Sequence, residues 1–321
     1  MQNSILGKVT QMIYQFEKLN VDSLDTIKKY AALRPIYTCE GQSINQFIWA
    51  SFYQTEFLVT ERFLFFKMII SGEYATMMPF CKEEDILEAF TFMKTYFNEE
   101  LKVPMKIYIA DEKFTSIIRN YENFEDEFTV TPDRDCFDYI YSADKLRTLS
   151  GKSYHKKKNH LNSFLKTYEG RYEYKSLNCS YTPAVKNLYY EWRATKEDIN
   201  RKDALAGEEE GVMRLFENCD KLNCRMGGVF VDGKLAAYSI GSYDSNLKCA
   251  FIHIEKGEAN VKGVYNYINQ QFLINEFPEA TIVNREDDLG QEGLRKAKLS
   301  YRPIKLEEKF NIFQKEIRSD I

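Results

Sequence analysis

The densest run of reactive side chains in this sequence lies at 284–301, Asn-Arg-Glu-Asp-Asp-Leu-Gly-Gln-Glu-Gly-Leu-Arg-Lys-Ala-Lys-Leu-Ser-Tyr. It begins where an apolar run, residues 280–283, ends. Strand ends in open α/β sheets are where ligands collect. Glu286 or Asp288 could bind an amine or remove its proton. Arg285 or Arg295 could hold a carboxylate or phosphate through two parallel hydrogen bonds. Arg295 and Lys298 stand three positions apart and share one face of a short helix. Gly290 and Gly293 allow close backbone approach. The plainer reading is a capping acid, Asp287 or Asp288, ahead of a helix, plus surface salt bridges. That accounts for one acid and leaves the rest of the cluster unexplained.

A second candidate is basic. Between Asp144 and Lys175 there are nine Lys or Arg and three acids, in a chain whose net charge is −4. At 100° per residue, Lys152, Lys156, Asn159 and Ser163 fall on one face of a helix, and Tyr154, Leu161, Leu165 and Tyr168 on the other. Such a helix docks by its apolar side and offers ammonium groups to phosphates. An ordinary solvated face is the alternative.

Other positions carry less. The loop at 255–263 precedes a long helix, and a helix N-terminus attracts anions. Its glycines form neither phosphate-binding pattern, and Glu255 and Glu258 oppose an anion. His253 reads as a satisfied structural histidine on a strand, beside Phe251 on the same face. The seven cysteines form no CxxC pair, and with three histidines they give no support for a metal site. They read as reduced thiols of a cytoplasmic protein.

The elements that must position these groups follow from periodicity. Leu6, Val9, Ile13, Phe16 and Leu19 keep helical spacing. Apolar runs at 47–53, 56–70 and 74–80 read as strands, and helices are expected near 83–96 and 112–119. Strands are expected at 105–110, 128–130 and 137–141. In the second half, helices at 150–168 and 183–196 precede a hairpin at 228–241. Its turn, Asp232-Gly233, is a strong hairpin signal. A strand at 247–254, a helix at 261–277 ended by Pro278, a strand at 280–285, a short helix at 291–298 and a strand at 304–310 complete the chain. Both halves run in the order hairpin, strand, helix, strand, short helix, strand, the pattern of a duplicated α/β unit.

Composition agrees with two domains. The chain has 321 residues, 44% hydrophobic and 15% aromatic, and a single core rarely grows beyond about 250–300 residues. Near-balanced charge gives no global attraction to nucleic acid or membrane. The most apolar run, 63–70, contains Lys67 and falls far short of the ~20 residues of a membrane span. No secretory leader opens the sequence, and no integral membrane association is expected.

The residues Asn284-Arg285-Glu286, Asp288-Leu289-Gly290, Gly293-Leu294-Arg295, Ala297-Lys298, Ser300-Tyr301 and Pro303 resemble a bacterial family of uncharacterised proteins. That family is related to the C-terminal domain of phosphatidylglycerol lysyltransferase. The resemblance extends to the basic helix with Asn159 and over nearly the whole chain. It implies a mixed α/β (α+β) fold of two tandem GNAT-like domains, each a twisted mixed sheet flanked by helices. Residues 1–140 would form a degenerate N-terminal domain, and 141–321 the domain with the site. It implies transfer of an acyl or aminoacyl group from a phosphate-bearing donor, acyl-CoA or aminoacyl-tRNA, to an amine or hydroxyl. Glu286, Asp288 and Tyr301 would be catalytic; Lys152, Lys156, Asn159, Arg285, Arg295 and Lys298 would hold the donor. A non-catalytic RNA- or nucleotide-binding protein on the same scaffold is the rival expectation.

Overall fold

The computed structural model describes residues 14–195 and 202–316. The expected helix through Leu6, Val9 and Ile13 lies mostly outside them. Phe16 and Leu19 flank a short strand, Glu17–Lys18, and the first α-helix is Leu24–Ala31. Three sheets follow. In the first, Glu17–Lys18, Glu56–Val59, Phe63–Ile70 and Glu73–Ala75 run in that order, with Phe80–Cys81 also on Phe63–Ile70. The run at 47–53, expected as a strand, is instead largely helix, Ser43–Ala50. Ile44, Phe47 and Ile48 are buried at helical spacing, and a short apolar run cannot by itself distinguish helix from strand.

The largest sheet orders Lys305–Glu307, Asp138–Ser142, Ile282–Asn284, Cys249–Gly257, Lys234–Asp244, Arg225–Val231 and Tyr172–Leu177. Its only parallel pair is Cys249–Gly257 with Ile282–Asn284. Helices Val264–Asn275 and His155–Thr167 pack together over it. The third sheet joins a strand near residue 310 to two strands of the N-terminal half. Its central strand is Lys309–Gln314, between Lys106–Asp111 and Phe128–Pro132.

The halves share a core. One apolar cluster contains Ile27, Phe47 and Phe65 together with Leu188, Val212, Tyr238 and Ile254. A second, around Tyr141, Phe164, Ile268 and Val283, belongs to the large sheet and its helices. Helix Lys202–Glu217, not anticipated from sequence, packs on Ser43–Ala50. The approach is close at Gly211, where a Cβ would lie 2.3 Å from the Ile48 carbonyl oxygen. Cys179 and Cys219 are joined as a disulfide, their Cα atoms 5.8 Å apart. This corrects the expectation of reduced thiols throughout: 40 residues separate the pair, and only the packing of two helix ends brings them together. No helix among the described residues is long and apolar enough to cross a membrane.

Candidate active site

The parallel strands pair at Cys249↔Ile282, Ala250↔Val283 and Phe251↔Asn284, and pairing stops there. The longer strand runs on to Gly257; the shorter turns away. Asn284 drives the turn by accepting the Glu286 N–H on its side-chain oxygen at 2.6 Å. Glu286 takes a left-handed φ of 56°, which a non-glycine residue adopts only when its surroundings fix it. Lys298 supplies the fixing. Its buried ammonium donates to the carbonyls of Arg285 at 2.6 Å, Glu286 at 3.1 Å and Asp287. Burial pulls the Lys298 pKa below its ordinary value although Asp287 and Glu286 oppose this.

Two side-chain bridges span the gap between the diverging strands. Arg285 donates to Glu255 at 2.8 Å, and Glu286 Oε1 lies 2.8 Å from His253 Nδ1. His253 reaches that position through a β-bulge. Ile240 faces Ile254 while Gly241 faces Ile252, so His253 is the extra residue. Bulges re-aim side chains beside functional sites. A Cβ at Gly241 would sit 2.5 Å from the Phe251 carbonyl oxygen, so the bulge needs glycine opposite it. His253 Nε2 meets Ser242 Oγ at 2.8 Å. Asn45, from the N-terminal half, donates to the same Glu286 oxygen at 3.3 Å. Among the described residues nothing donates to the other oxygen, Oε2.

The second expected acid is differently placed. Asp288 is buried, and both its oxygens are occupied. Oδ2 accepts from Tyr139 at 2.6 Å, Arg295 at 2.9 Å and Arg134 at 3.2 Å; Oδ1 accepts from Arg295 at 2.8 Å and Gly290 N–H at 2.9 Å. Burial alone would raise its pKa, but these donors hold it below the ordinary value. Arg295 bonds to Asp135 as well, at 2.6 Å. Neither acid caps the helix Glu292–Leu299, whose N-cap is Gln291. Asp287 and Asp288 instead accept N–H groups of Leu289 and Gly290 in the turn before it.

The basic helix does meet this segment, through Tyr154 of its apolar face and through Lys157, which the sequence did not single out. Tyr154 donates to the Tyr301 carbonyl at 3.0 Å, and the Lys157 ammonium lies 4.0 Å from the Tyr301 ring centroid. Lys157 is pulled down to about 8 by burial and by Arg285. Lys152, Lys156 and Asn159 are exposed; Asn159 makes a contact within its own helix, to His155. Arg285 also lies over the Tyr301 ring. The Tyr301 hydroxyl accepts from Asn266 at 2.7 Å, and burial raises its pKa. Helix Val264–Asn275 begins at Gly263, φ 81°, where a Cβ would meet the His160 carbonyl oxygen at 2.7 Å. The basic helix therefore lies directly against this helix N-terminus.

Beneath the turn is a buried ionic layer. Asn284 donates to Asp138 at 2.8 Å and to the Tyr37 carbonyl at 2.8 Å. Lys309 has a fully buried side chain, 2.7 Å from Glu40, 2.8 Å from Asp138 and 3.4 Å from Cys39 Sγ. Cys39, Glu40 and Asp138 have metal-like spacing, but the Lys309 ammonium already brings positive charge to them. Burial opposes that charge, while Asp138, Cys39 and Glu40 outweigh it and raise the lysine pKa. Register and tertiary contact create this layer, and none of its members forms a local motif.

Asp287 feels both this layer, through Lys309 and Asp138, and the turn, through Lys298 and Glu286. Burial pushes its carboxyl up to about 7, with Asp138 and Glu286 adding and Lys309 and Lys298 opposing. The folded chain thus holds this proton more tightly than the unfolded chain, where an aspartate titrates at about 3.9. The linked stability is full below that value and lost as pH rises through about 7. Asp287→Asn is expected to remove this component, so that urea midpoints measured at pH 5, 6 and 7 fall less steeply than in the native chain. Parallel pH profiles for the two proteins would refute the assignment.

The family model described as phosphatidylglycerol lysyltransferase, C-terminal, matches residues 32–313. An uncharacterized protein of Mycoplasmoides gallisepticum is 27% identical over 165 residues, 51% of this chain and 52% of its own length. The match thus spans about half of that relative. A conserved protein of unknown function from Bacteroides thetaiotaomicron is 28% identical, covering 94% of this chain and 100% of that one, with a TM-score of 0.85. L-PGS from Bacillus licheniformis, 12% identical, covers 92% and 93% with a TM-score of 0.64. The mixed α/β fold is of the tandem GNAT-like kind anticipated from sequence.

Proposed function

The chain belongs to the phosphatidylglycerol lysyltransferase C-terminal family, and on that premise we propose that it is an acyl- or aminoacyltransferase with Glu286 as its base. The carrying observation is the Glu286 carboxylate at the mouth of the diverging strands, with Oε1 anchored by His253 and Asn45. An acceptor amine or hydroxyl gives its proton to Oε2 as it attacks the donor carbonyl. The bond from that carbonyl to the donor oxygen or sulfur breaks, and a new amide or ester forms. Tyr301 gives its proton to the leaving group and is reprotonated from solvent as Glu286 loses the acceptor's proton to solvent; the Tyr301 hydroxyl accepts from Asn266 and so keeps its own hydrogen free to donate. Burial keeps it protonated, which suits a donor and not a base.

Phosphate binding in this reading falls to the exposed Lys152 and Lys156, for which the described residues supply no ion-pair partner, and to Lys157. Asn159 extends the same face. Arg285 and Lys298 hold the turn, and Arg295 holds Asp288, so these three act on the donor through the shape of the site. The covered helix N-terminus at Gly263 disfavours a coenzyme A pyrophosphate and leaves aminoacyl-tRNA as the favoured donor. Residues 141–321 carry the chemistry, and 1–140 wall the cleft.

The test is transfer of labelled aminoacyl groups from a charged tRNA pool, beside labelled acetyl-CoA, to phosphatidylglycerol vesicles and to small amines. Turnover with aminoacyl-tRNA, and tRNA affinity falling steeply between 50 and 200 mM salt, is the expected result. Turnover with acetyl-CoA alone overturns the donor assignment. Salt-sensitive tRNA binding without turnover favours the rival, an RNA-binding protein that uses the same lysines.

A further inference from the structure

His253 anchors the proposed base, and Ser242, which has had no part so far, is tied to that base through it. The His253 side chain has no exposed surface, and Ser242 is 6% exposed. The line Ser242 Oγ, His253 Nε2, His253 Nδ1, Glu286 Oε1 is continuous, with both links at 2.8 Å. An imidazole between a carboxylate and a hydroxyl has a preferred arrangement. The carboxylate only accepts, so Nδ1 carries the hydrogen; Nε2 then accepts from the serine hydroxyl. A buried histidine needing only satisfaction could have taken backbone carbonyls. Here a β-bulge turns it toward Glu286 across the open gap.

We propose that His253 is a positioning residue for Glu286, that the Glu286 carboxylate sets its tautomer while the Ser242 hydroxyl donates to Nε2, and that Asn45 of the N-terminal half completes the hold. Glu286 needs such a hold. Its backbone is left-handed and its side chain is 20% exposed, so without anchors the carboxylate would sample several rotamers and turn toward water. Two N–H donors on one oxygen fix the plane of the group and direct Oε2 toward the acceptor. The N-terminal half therefore contributes a side chain to the site as well as a wall. The kinetic part of this inference rests on Glu286 being the base; the hydrogen-bond order does not.

The test has two arms. Imidazole nitrogen NMR reads the tautomer directly, and the chain has three histidines, of which His155 and His160 are exposed. His253 is expected as the Nδ1–H form, and Ser242→Ala is expected to leave it so, because the Glu286 carboxylate still accepts from Nδ1. An Nε2–H form in the native chain overturns the proposal. The second arm uses transfer from lysyl- and alanyl-tRNA to hydroxylamine. His253→Asn keeps a donor where Nδ1 stands and is expected to retain kcat within a few-fold. His253→Ala and His253→Gln are expected to lose about a hundredfold in kcat, as for a displaced catalytic group, with KM unchanged. A His253→Asn variant as slow as His253→Ala makes the residue merely a packing element and overturns the proposal. If the native chain transfers nothing, the transferase reading fails on its own, and the NMR arm still decides the hydrogen-bond order.

Discussion

Lys309→Met is expected to lower folding stability by about 3–5 kcal/mol, the usual consequence of removing one partner from a buried ionic cluster. The Lys309 side chain has no solvent exposure, and neither has that of Asp138. Without the ammonium, Glu40 and Asp138 face each other and the Cys39 thiol away from water. Burial already raises the Glu40 pKa with the lysine present. The variant should therefore recover part of its loss at low pH, where both acids are protonated. Adding Glu40→Gln and Asp138→Asn to Lys309→Met should recover part of it at neutral pH, because the stranded charges are gone. Urea unfolding at pH 7, with the slope compared as well as the midpoint, checks both statements. A loss below about 1 kcal/mol would mean that the cluster is solvated and not the dry junction described here.

The second large effect concerns rate. Glu286→Gln is expected to reduce transfer by about 10²–10⁴-fold, the range for losing a positioned general base. The unfolding midpoint should hardly move, since the amide oxygen of glutamine still accepts from His253 and Asn45. Asp288→Asn should do the reverse. It weakens the hold on Arg295, Arg134 and Tyr139 and lowers stability by about 1.5–3 kcal/mol as charged hydrogen bonds are lost. Its effect on rate would follow from any loosening of the turn. Comparable rate losses in both variants, with stability intact, would return Asp288 to the chemistry.

These two acids mark how far sequence could reach. The cluster at 284–301 stood out because many charged groups follow a short apolar strand, and the structure does gather Arg285, Glu286, Asp288, Arg295, Lys298 and Tyr301 around one turn. Which acid is satisfied and which is open depends on Arg134 and Tyr139, far away in the chain. The basic helix was legible in its orientation: Tyr154 and Leu161 are buried, Leu165 and Tyr168 half-buried, Lys156 and Asn159 exposed. Lys157, on the boundary between faces, was not, because its neighbour is a ring from another segment. His253 read as structural because one strand's alternation gives its face but not its partner across a bulge. Asn45 lies in the first turn of the helix Ser43–Ala50, just ahead of the run at 47–53 that read as a strand, and so drew no notice.

The strand Lys309–Gln314, between Lys106–Asp111 and Phe128–Pro132, also sets an order of events during synthesis. Both outer strands leave the ribosome long before the strand that joins them. At about 5–20 residues per second, the stretch from Pro132 to Lys309 takes on the order of 10–35 s to translate. For that time Lys106–Asp111 and Phe128–Pro132 each present an unpaired edge, and Glu40 and Asp138 await their cation. A pause or premature stop before residue 309 would leave open β-edges prone to aggregation.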